Sequence, residues 1–367
     1  MKWSPQQNEA LSKAAAWVRI KWSPIFYLAG YAGTGKSTIA NEVANLVNGK
    51  VAFAAFTGKA AKVMRDKGCR KAKTIHSTIY IADRDEETGK VTLLKRPQYE
   101  LDWCSMFIID ECSMVNEELA RDLLSYDKPI LVLGDPAQLP PVSGGGFFTS
   151  GKPDYMLTEI HRQAAENPIL RLATAVREGR FRGQRYESEQ LTVVDREGLD
   201  PAVVPQADTI LVGRNTTRQR FNARLRELKN FTGNRPREGE TLICLKNDKE
   251  CKISNGETFV VADVKKPRGG LIKMTLCDLS DSDRKPVDVK VRQQFFEDDI
   301  AASKLPYDDL KGTQQFTYGY AITGHKSQGS QWQNVVVFDE SQIFREDADR
   351  WLYTAVTRAS EKLTLVI

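Results

Sequence analysis

With 367 residues the chain exceeds one ordinary domain, and two are expected, with room for an inserted third. A hydrophobic content of 41 % supplies proper cores and excludes disordered and collagen-like classes. The formal net charge of +5 is compatible with a nucleic-acid partner without arguing for one, because the distribution of charge matters more than its total.

No run comes near the roughly 18 apolar residues that span a bilayer. The opening stretch, MKWSPQQNEALSKAAAW, lacks the apolar region of a signal peptide. The expectation is a cytoplasmic protein with no membrane contact. Cys69, Cys104, Cys112, Cys244, Cys251 and Cys277 show neither C-x-x-C spacing nor the regular spacing of a disulfide framework, and read as reduced thiols.

In chain order, PIFYLAG reads as a buried strand, followed by a glycine loop and the helix STIANEVANLV. VAFAAFTG and KAAKVMRDKG repeat the strand–helix pair, and MFIIDEC and PILVLGD read as a third and a fourth strand. Such alternation predicts an α/β fold, a parallel sheet with helices on both faces. The polar interruption 79–100 reads as a hairpin turned at Thr88-Gly89. A second α/β unit begins near Leu157, with the strand TILVG and the basic helix TTRQRFNARLRELKN. In that helix Phe221, Leu225 and Leu228 form an apolar stripe, with Arg218, Arg220, Arg224 and Arg226 mostly off it. The arginines make either a phosphate-facing surface or a solvated face. From about Glu240 the texture becomes short β-rich segments with turn signals, the pattern of a small barrel or SH3-like insert. After about Gly312 the α/β pattern returns, with NVVVFDE and KLTLVI. The expected domains are 1–156 with the hairpin 79–100, then 157–239 together with 313–367, and 240–312 as the β insertion.

Gly30-Tyr-Ala-Gly-Thr-Gly-Lys-Ser37 fits G-x-x-x-x-G-K-[ST] between a predicted strand and a predicted helix, the context that a P-loop requires. Gly30, Gly33 and Gly35 let the backbone turn its N–H groups toward phosphate oxygens. The helix that opens at Ser37 and Thr38 adds its dipole. Lys36 is expected to reach the β- and γ-phosphates, and the Ser37 hydroxyl to ligate Mg²⁺. Phe107-Ile-Ile-Asp110-Glu111 ends an apolar strand on two carboxylates. Asp110 is placed to hold Mg²⁺, and Glu111 to orient and deprotonate an attacking water. These motifs point to nucleoside triphosphate hydrolysis, and do not separate a motor from a kinase or a GTPase.

Three later stretches narrow the class: Gly134-Asp-Pro-Ala-Gln-Leu-Pro-Pro-Val142, Thr323-Gly-His-Lys-Ser-Gln-Gly-Ser330 and Tyr353-Thr-Ala-Val-Thr-Arg-Ala359. With the two motifs above, in this order over nearly the whole chain, they resemble superfamily 1 helicases of the 5′-to-3′ subgroup that includes the Dda and RecD proteins. The resemblance implies two RecA-like parallel-sheet domains. It further implies a small hairpin insertion in the first, used as a separation pin, and an SH3-like β insertion in the second, where Asn255-Gly256-Glu257 sits. It implies ATP as the nucleotide, Gln7 as its adenine reader and Gln138 as the γ-phosphate sensor. Arg162 in EIHRQ and Arg358 match the two arginines that reach the γ-phosphate from the second domain. A planar guanidinium suits the charge that develops on a transferred phosphoryl group. ATP would then draw the domains together, and hydrolysis would release them.

Thr57 and Lys59 in TGKAA, His76 in TIHS, and Thr323, His325 and Lys326 match the family's strand-contacting motifs. Hydroxyls, amides and cations suit sugar and phosphate contacts, which carry no sequence information. Arg214 and Asn215, at the end of the strand TILVG, read as further strand contacts. Where the family usually places an acidic residue on the nucleotide sugar, this chain has Gln331, which can still hydrogen-bond a hydroxyl. The implied partner is single-stranded DNA in a tailed or forked duplex. The chain is expected to act as a monomer, alongside replication or recombination proteins. Four readings stand at this point: a 5′-to-3′ DNA helicase, a translocase or protein-displacing motor without efficient unwinding, an ATP-switched nucleic-acid-binding subunit, and an unrelated P-loop kinase. The joint presence of Lys36, Glu111, Arg162 and Arg358 argues against the third. The fit of Gln138 and both arginines to a two-domain cleft argues against the fourth.

Overall fold

The computed structural model describes residues 3–84, 91–140, 146–159, 166–248, 251, 253, 255–279 and 284–367. A first parallel sheet has the spatial order Lys73–Thr74, Lys50–Ala55, Cys104–Asp110, Ile130–Gly134, Ile25–Gly30, Tyr155–Leu157. Its four inner strands are the four read from the apolar runs. The two outer ones, of two and three residues, are too short to show a pattern. Both faces are covered, which is why the inner strands read as unbroken apolar runs. Along Ile25–Gly30, Phe26 and Leu28 join a core with Trp17, Ile39 and Val43, while Tyr27 and Ala29 join another with Leu119, Leu123 and Tyr126. From Gly30 the chain crosses to Lys50–Ala55 on one side of the sheet, and it later places Tyr155–Leu157 on the other. The loop after Gly30 therefore sits where the connections diverge, the usual place for a ligand crevice.

The helix Pro5–Ile20 has no counterpart in the elements read from the sequence, yet it is well capped. Ser4 Oγ accepts from the Gln7 N–H, and the Gln7 side chain accepts from the Ser4 N–H. Its buried stripe is Ala10, Ala14 and Trp17, small enough to leave little trace in hydropathy.

The second sheet has the order Ala321–Thr323, Thr209–Val212, Trp332–Phe338, Ala359–Val366, Leu191–Val194, Tyr186–Glu187, parallel except for the last pair. A third sheet is five-stranded and antiparallel: Val287–Arg292, Leu271–Asp278, Thr258–Val264, Thr241–Cys244, Phe316–Tyr318. Its last strand pairs with Thr241–Cys244, so the β module draws on chain beyond residue 312. Tyr80–Arg84 and Val91–Lys95 pair as a separate antiparallel hairpin, with Tyr80 opposite Lys95. The expected turn at Thr88-Gly89 lies outside the described residues. Among the described residues no helix is long and apolar enough to cross a membrane.

The basic helix spans Asn215–Leu228 and corrects the reading of its arginines. Neither a phosphate-facing nor a solvated surface fits Arg218 or Arg226, which are 2 % and 7 % exposed. Arg218 Nη2 donates to both carboxylate oxygens of buried Asp299, at 2.6 and 2.9 Å. Arg226 donates to Glu240 through Nε and Nη2, and to the carbonyls of Gly233 and Arg235. Helical periodicity registers where charges fall and not what meets them, and here carboxylates from the β-module region meet two of the four. Leu228, assigned to the apolar stripe, is instead 49 % exposed.

Candidate active site and adjoining groove

Three strand ends of the first sheet each deliver one part of the cleft. After Ile25–Gly30 the P-loop turns through Gly35, at a φ of +87°, and a Cβ there would stand 2.7 Å from Gln7 Nε2. Gln7 is buried against this loop, and its Nε2 donates to the Thr34 carbonyl at 3.1 Å. The helix Lys36–Asn45 follows with no side-chain cap, so its opening amides must be met from outside the helix. Lys36 Nζ donates to the carbonyls of Gly30 and Tyr31 at 2.6 and 3.0 Å, curled over its own loop.

Two strands away, Cys104–Asp110 brings Asp110 Oδ2 to 3.5 Å from the Ser37 hydroxyl. Asp110 Oδ1 accepts from the Glu111 N–H at 2.8 Å. Glu111 takes a φ of +54°, uncommon for a residue with a side chain, and the strand ends there in a sharp turn. Desolvation raises the Glu111 pKa above the ordinary carboxylate value. Arg358 and Lys36 oppose that shift, and Asp110 and Asp135 reinforce it.

The third strand end, after Ile130–Gly134, supplies Asp135 and Gln138, both buried. Gln138 Oε1 is buried and meets no hydrogen-bond donor among the described residues, so it is an acceptor open to a ligand. From the second sheet, Arg358 is 5 % exposed and is held in place: Nε donates to the Thr354 carbonyl, Nη1 to the Ser330 carbonyl and Nη2 to Thr357 Oγ1. Lys36, Asp110, Glu111, Gln138 and Arg358 line one cavity of about 330 Å³, with Gly33, Gly35, Ser37 and Thr38 on its floor and exposed Gln331 on its wall. Arg162 lies outside the described residues.

Ser330 also lines a second cavity, of about 310 Å³, formed where both parallel-sheet units meet the antiparallel module. Thr57, Lys59, His325 and Lys326 line it, joined by Asn255 and Gly256 of the module. Of its basic groups Lys59 is buried, His325 half-buried and Lys326 exposed. Desolvation lowers the Lys59 pKa to about 7, and it also lowers those of Lys326 and His325 from their ordinary values. The Lys59 ammonium stands 3.7 Å from the centre of the Trp332 ring, across from the other unit. Gly329, at a φ of +70°, permits that approach, since a Cβ there would lie 2.8 Å from Thr57 Oγ1.

The other expected strand contacts sit differently. Thr323 is buried, and its hydroxyl accepts from the Lys326 N–H at 3.4 Å, so it props the groove from behind. The His76 ring packs against Phe56, a groove residue, and against Tyr80. Arg214 and Asn215 are exposed and do not line the groove. Backbone N–H groups of Gly213 and Arg214 donate to Glu340, and Asn215 accepts from Arg218. Four side chains at the junction were not singled out in the sequence: Tyr31, Arg177, Trp332 and Tyr353. The Arg177 guanidinium lies 3.5 Å from the centre of the Tyr31 ring. Trp332 and Tyr353 stand inside or beside quoted motifs, and that proximity is the one signal that could have found them. Arg177, on an ordinary helix, carries no such signal.

Comparison with known proteins places the chain among nucleotide-binding and helicase-like folds. Residues 2–198 match the family model described as an AAA domain, and residues 318–366 match the UvrD-like helicase C-terminal domain. An ATP-dependent RecD2 DNA helicase of Deinococcus radiodurans is 28 % identical over 364 residues, covering 91 % of this chain and 46 % of that protein. The chain thus spans about half the length of that relative. Among solved structures, the Pif1 helicase from Candida albicans superposes with a TM-score of 0.58 at 18 % identity, over 100 % of this chain and 94 % of that one. A Bacteroides Pif1 helicase in complex with ADP-AlF3 and single-stranded DNA gives 0.58 at 16 %, over 100 % and 92 %. These two likenesses are of fold, and they identify the two parallel sheets as RecA-like domains. The chain belongs to the AAA-domain family, and it is similar to superfamily 1 helicases of the RecD type.

Proposed function

We propose that this chain hydrolyses ATP in the cleft and uses the cycle to move 5′-to-3′ along single-stranded DNA held in the adjoining groove, separating duplex ahead of it. The observation that carries the reading is the meeting of Lys36, Asp110 and Glu111 from one sheet with Arg358 from the other, around the orphaned acceptor of Gln138. A magnesium nucleotide fits this donor set. Ser37 and Asp110 would hold the ion, which supplies charge neutralisation for the phosphates. Water attacks the γ-phosphorus, the bond to the β–γ bridging oxygen breaks, and Glu111 takes the water's proton. Arg358, already fixed by three hydrogen bonds, offers its charge without reorganisation. Support for a nucleic-acid track comes from Lys59 and Lys326 in the neighbouring groove and from the relative's name as a DNA helicase.

The test is steady-state ATPase with and without single strands, beside fluorescence unwinding of 5′-tailed and 3′-tailed duplexes. Strand-stimulated turnover with opening of the 5′-tailed duplex alone is expected. Opening of the 3′-tailed duplex alone reverses the polarity. Stimulated turnover that opens neither favours translocation without unwinding, a reading drawn from the short hairpin, whose strands are five residues each.

A further inference from the structure

The P-loop is gripped from the second sheet at a point that phosphate chemistry does not explain. Tyr353, on the helix Ala348–Val356, is 2 % exposed, and its hydroxyl lies between two groups of the first unit. It donates to Asp135 Oδ2 at 2.7 Å and accepts from the Ala32 N–H at 2.9 Å. Asp135 is itself 3 % exposed, and its other oxygen accepts from the Ala137 N–H at 3.0 Å, in the loop that carries Gln138. One phenol therefore links the P-loop, the Gln138 loop and the helix that leads to Arg358. The next residue along that helix extends the link: Thr354 Oγ1 accepts from the Leu139 N–H at 2.9 Å.

We propose that Tyr353 is a positioning residue that registers closure of the cleft on the P-loop and the Gln138 loop together. The inference rests on the ATPase reading above. The physical argument is one of satisfaction. With the units apart, water can solvate Asp135 and Ala32. With the units together water is excluded, and among the described residues the phenol is the group that meets both. A closed cleft without that hydroxyl leaves a buried carboxylate short of a donor and an amide without an acceptor, which disfavours the closed arrangement. In this arrangement Arg358 lines the cavity that holds Lys36 and Glu111. Loss of the hydroxyl should therefore lower turnover while leaving the P-loop's own nucleotide contacts in place.

The experiment compares wild type, Tyr353→Phe, Asp135→Asn and the double variant. Strand-stimulated ATPase is expressed per chain that binds a fluorescent ATP analogue, so that misfolded protein does not count. In Tyr353→Phe the expected result is a kcat about tenfold lower, with KM for ATP within about twofold of wild type. The double variant is expected to fall no further than the more damaged single variant, because both remove the same link. A Tyr353→Phe turnover within twofold of wild type overturns the inference. So does a double variant whose losses multiply, since the hydroxyl then acts apart from Asp135. Should Tyr353→Phe bind no analogue, Asp135→Asn alone decides: a kcat loss at constant KM supports the link, and an unchanged kcat ends it. A wild-type chain that hydrolyses no ATP overturns the motor reading and this inference with it, an outcome distinct from the others.

Discussion

The two cavities share Ser330 and lie side by side, yet one is lined by two units and the other by three. The nucleotide cleft is built at strand ends. Asp110 and Glu111 stop one strand, Asp135 and Gln138 follow another, and Lys36 follows a third, so each functional group sits within a few residues of a rigid sheet. The groove draws on strand ends as well, since Lys59 follows Lys50–Ala55 and His325 and Lys326 follow Ala321–Thr323, but it adds a third unit. Lys59 comes from a helix start, His325 and Lys326 from a single short turn, and Asn255 and Gly256 from the antiparallel module. The cleft is complete once two units have packed, whereas the groove needs three. Damage in the cleft should therefore strike chemistry and spare binding, and damage behind the groove should strike the packing first.

The sharpest division is expected from Lys36→Ala. Its ammonium is the P-loop's own cation, and removing it should lower ATP turnover by more than about a hundredfold. Single-strand affinity should stay within about twofold, because Lys36 does not line the groove. Steady-state ATPase and fluorescence anisotropy read the two quantities separately. Turnover near wild type would sink the cleft assignment, and a parallel loss of strand affinity would erase the distinction between the cavities.

A smaller effect of a different kind is expected behind the groove. Arg218 and Asp299 form a buried pair that sits electrostatically beside Lys326. Asp299→Ala strands a buried guanidinium, and unfolding in denaturant should show a loss of about 3–5 kcal/mol. Arg224→Ala, on the same helix, breaks an exposed pair with Glu227 and should leave the midpoint unchanged. Equal losses from the two would show that the buried pair has no special part in holding the module to the helix.

How much of this was legible in the sequence follows the same division. The inner strands of the first sheet and the P-loop turn were readable, because apolar runs and glycine spacing are local signals. The ends of those strands placed Asp110, Glu111 and Gln138 together as expected. Of the arginines of Asn215–Leu228, Arg218 and Arg226 were not readable. Their partners stand 14 residues away for Arg226 and 81 away for Arg218, and no periodicity in the helix reports a carboxylate arriving from elsewhere. Trp332 and Tyr353 were hidden for a related reason. An aromatic inside a motif reads as core until its edge or hydroxyl is seen against another unit.

Lys59 gives the finest test of the comparison, because it belongs to the groove and lies beside the cleft. Burial holds its pKa at about 7; Asp278 and Asp208 push the value up, while Lys62 and Arg358 push it down. Above that pH the free protein holds the amine mostly neutral. A bound phosphate favours the ammonium, so strand binding takes up a proton. Affinity should therefore weaken as pH rises from about 7 toward about 9, by up to about tenfold per unit. The sign for folding is opposite. The unfolded chain binds the proton that the folded one has lost, so this group makes the fold more stable as pH rises through the same window. Lys59→Arg keeps the charge at every pH in that range and should flatten the affinity slope at constant salt. Anisotropy titrations of wild type and variant across the window measure it, and a slope that survives the substitution would place the titrating group elsewhere in the groove.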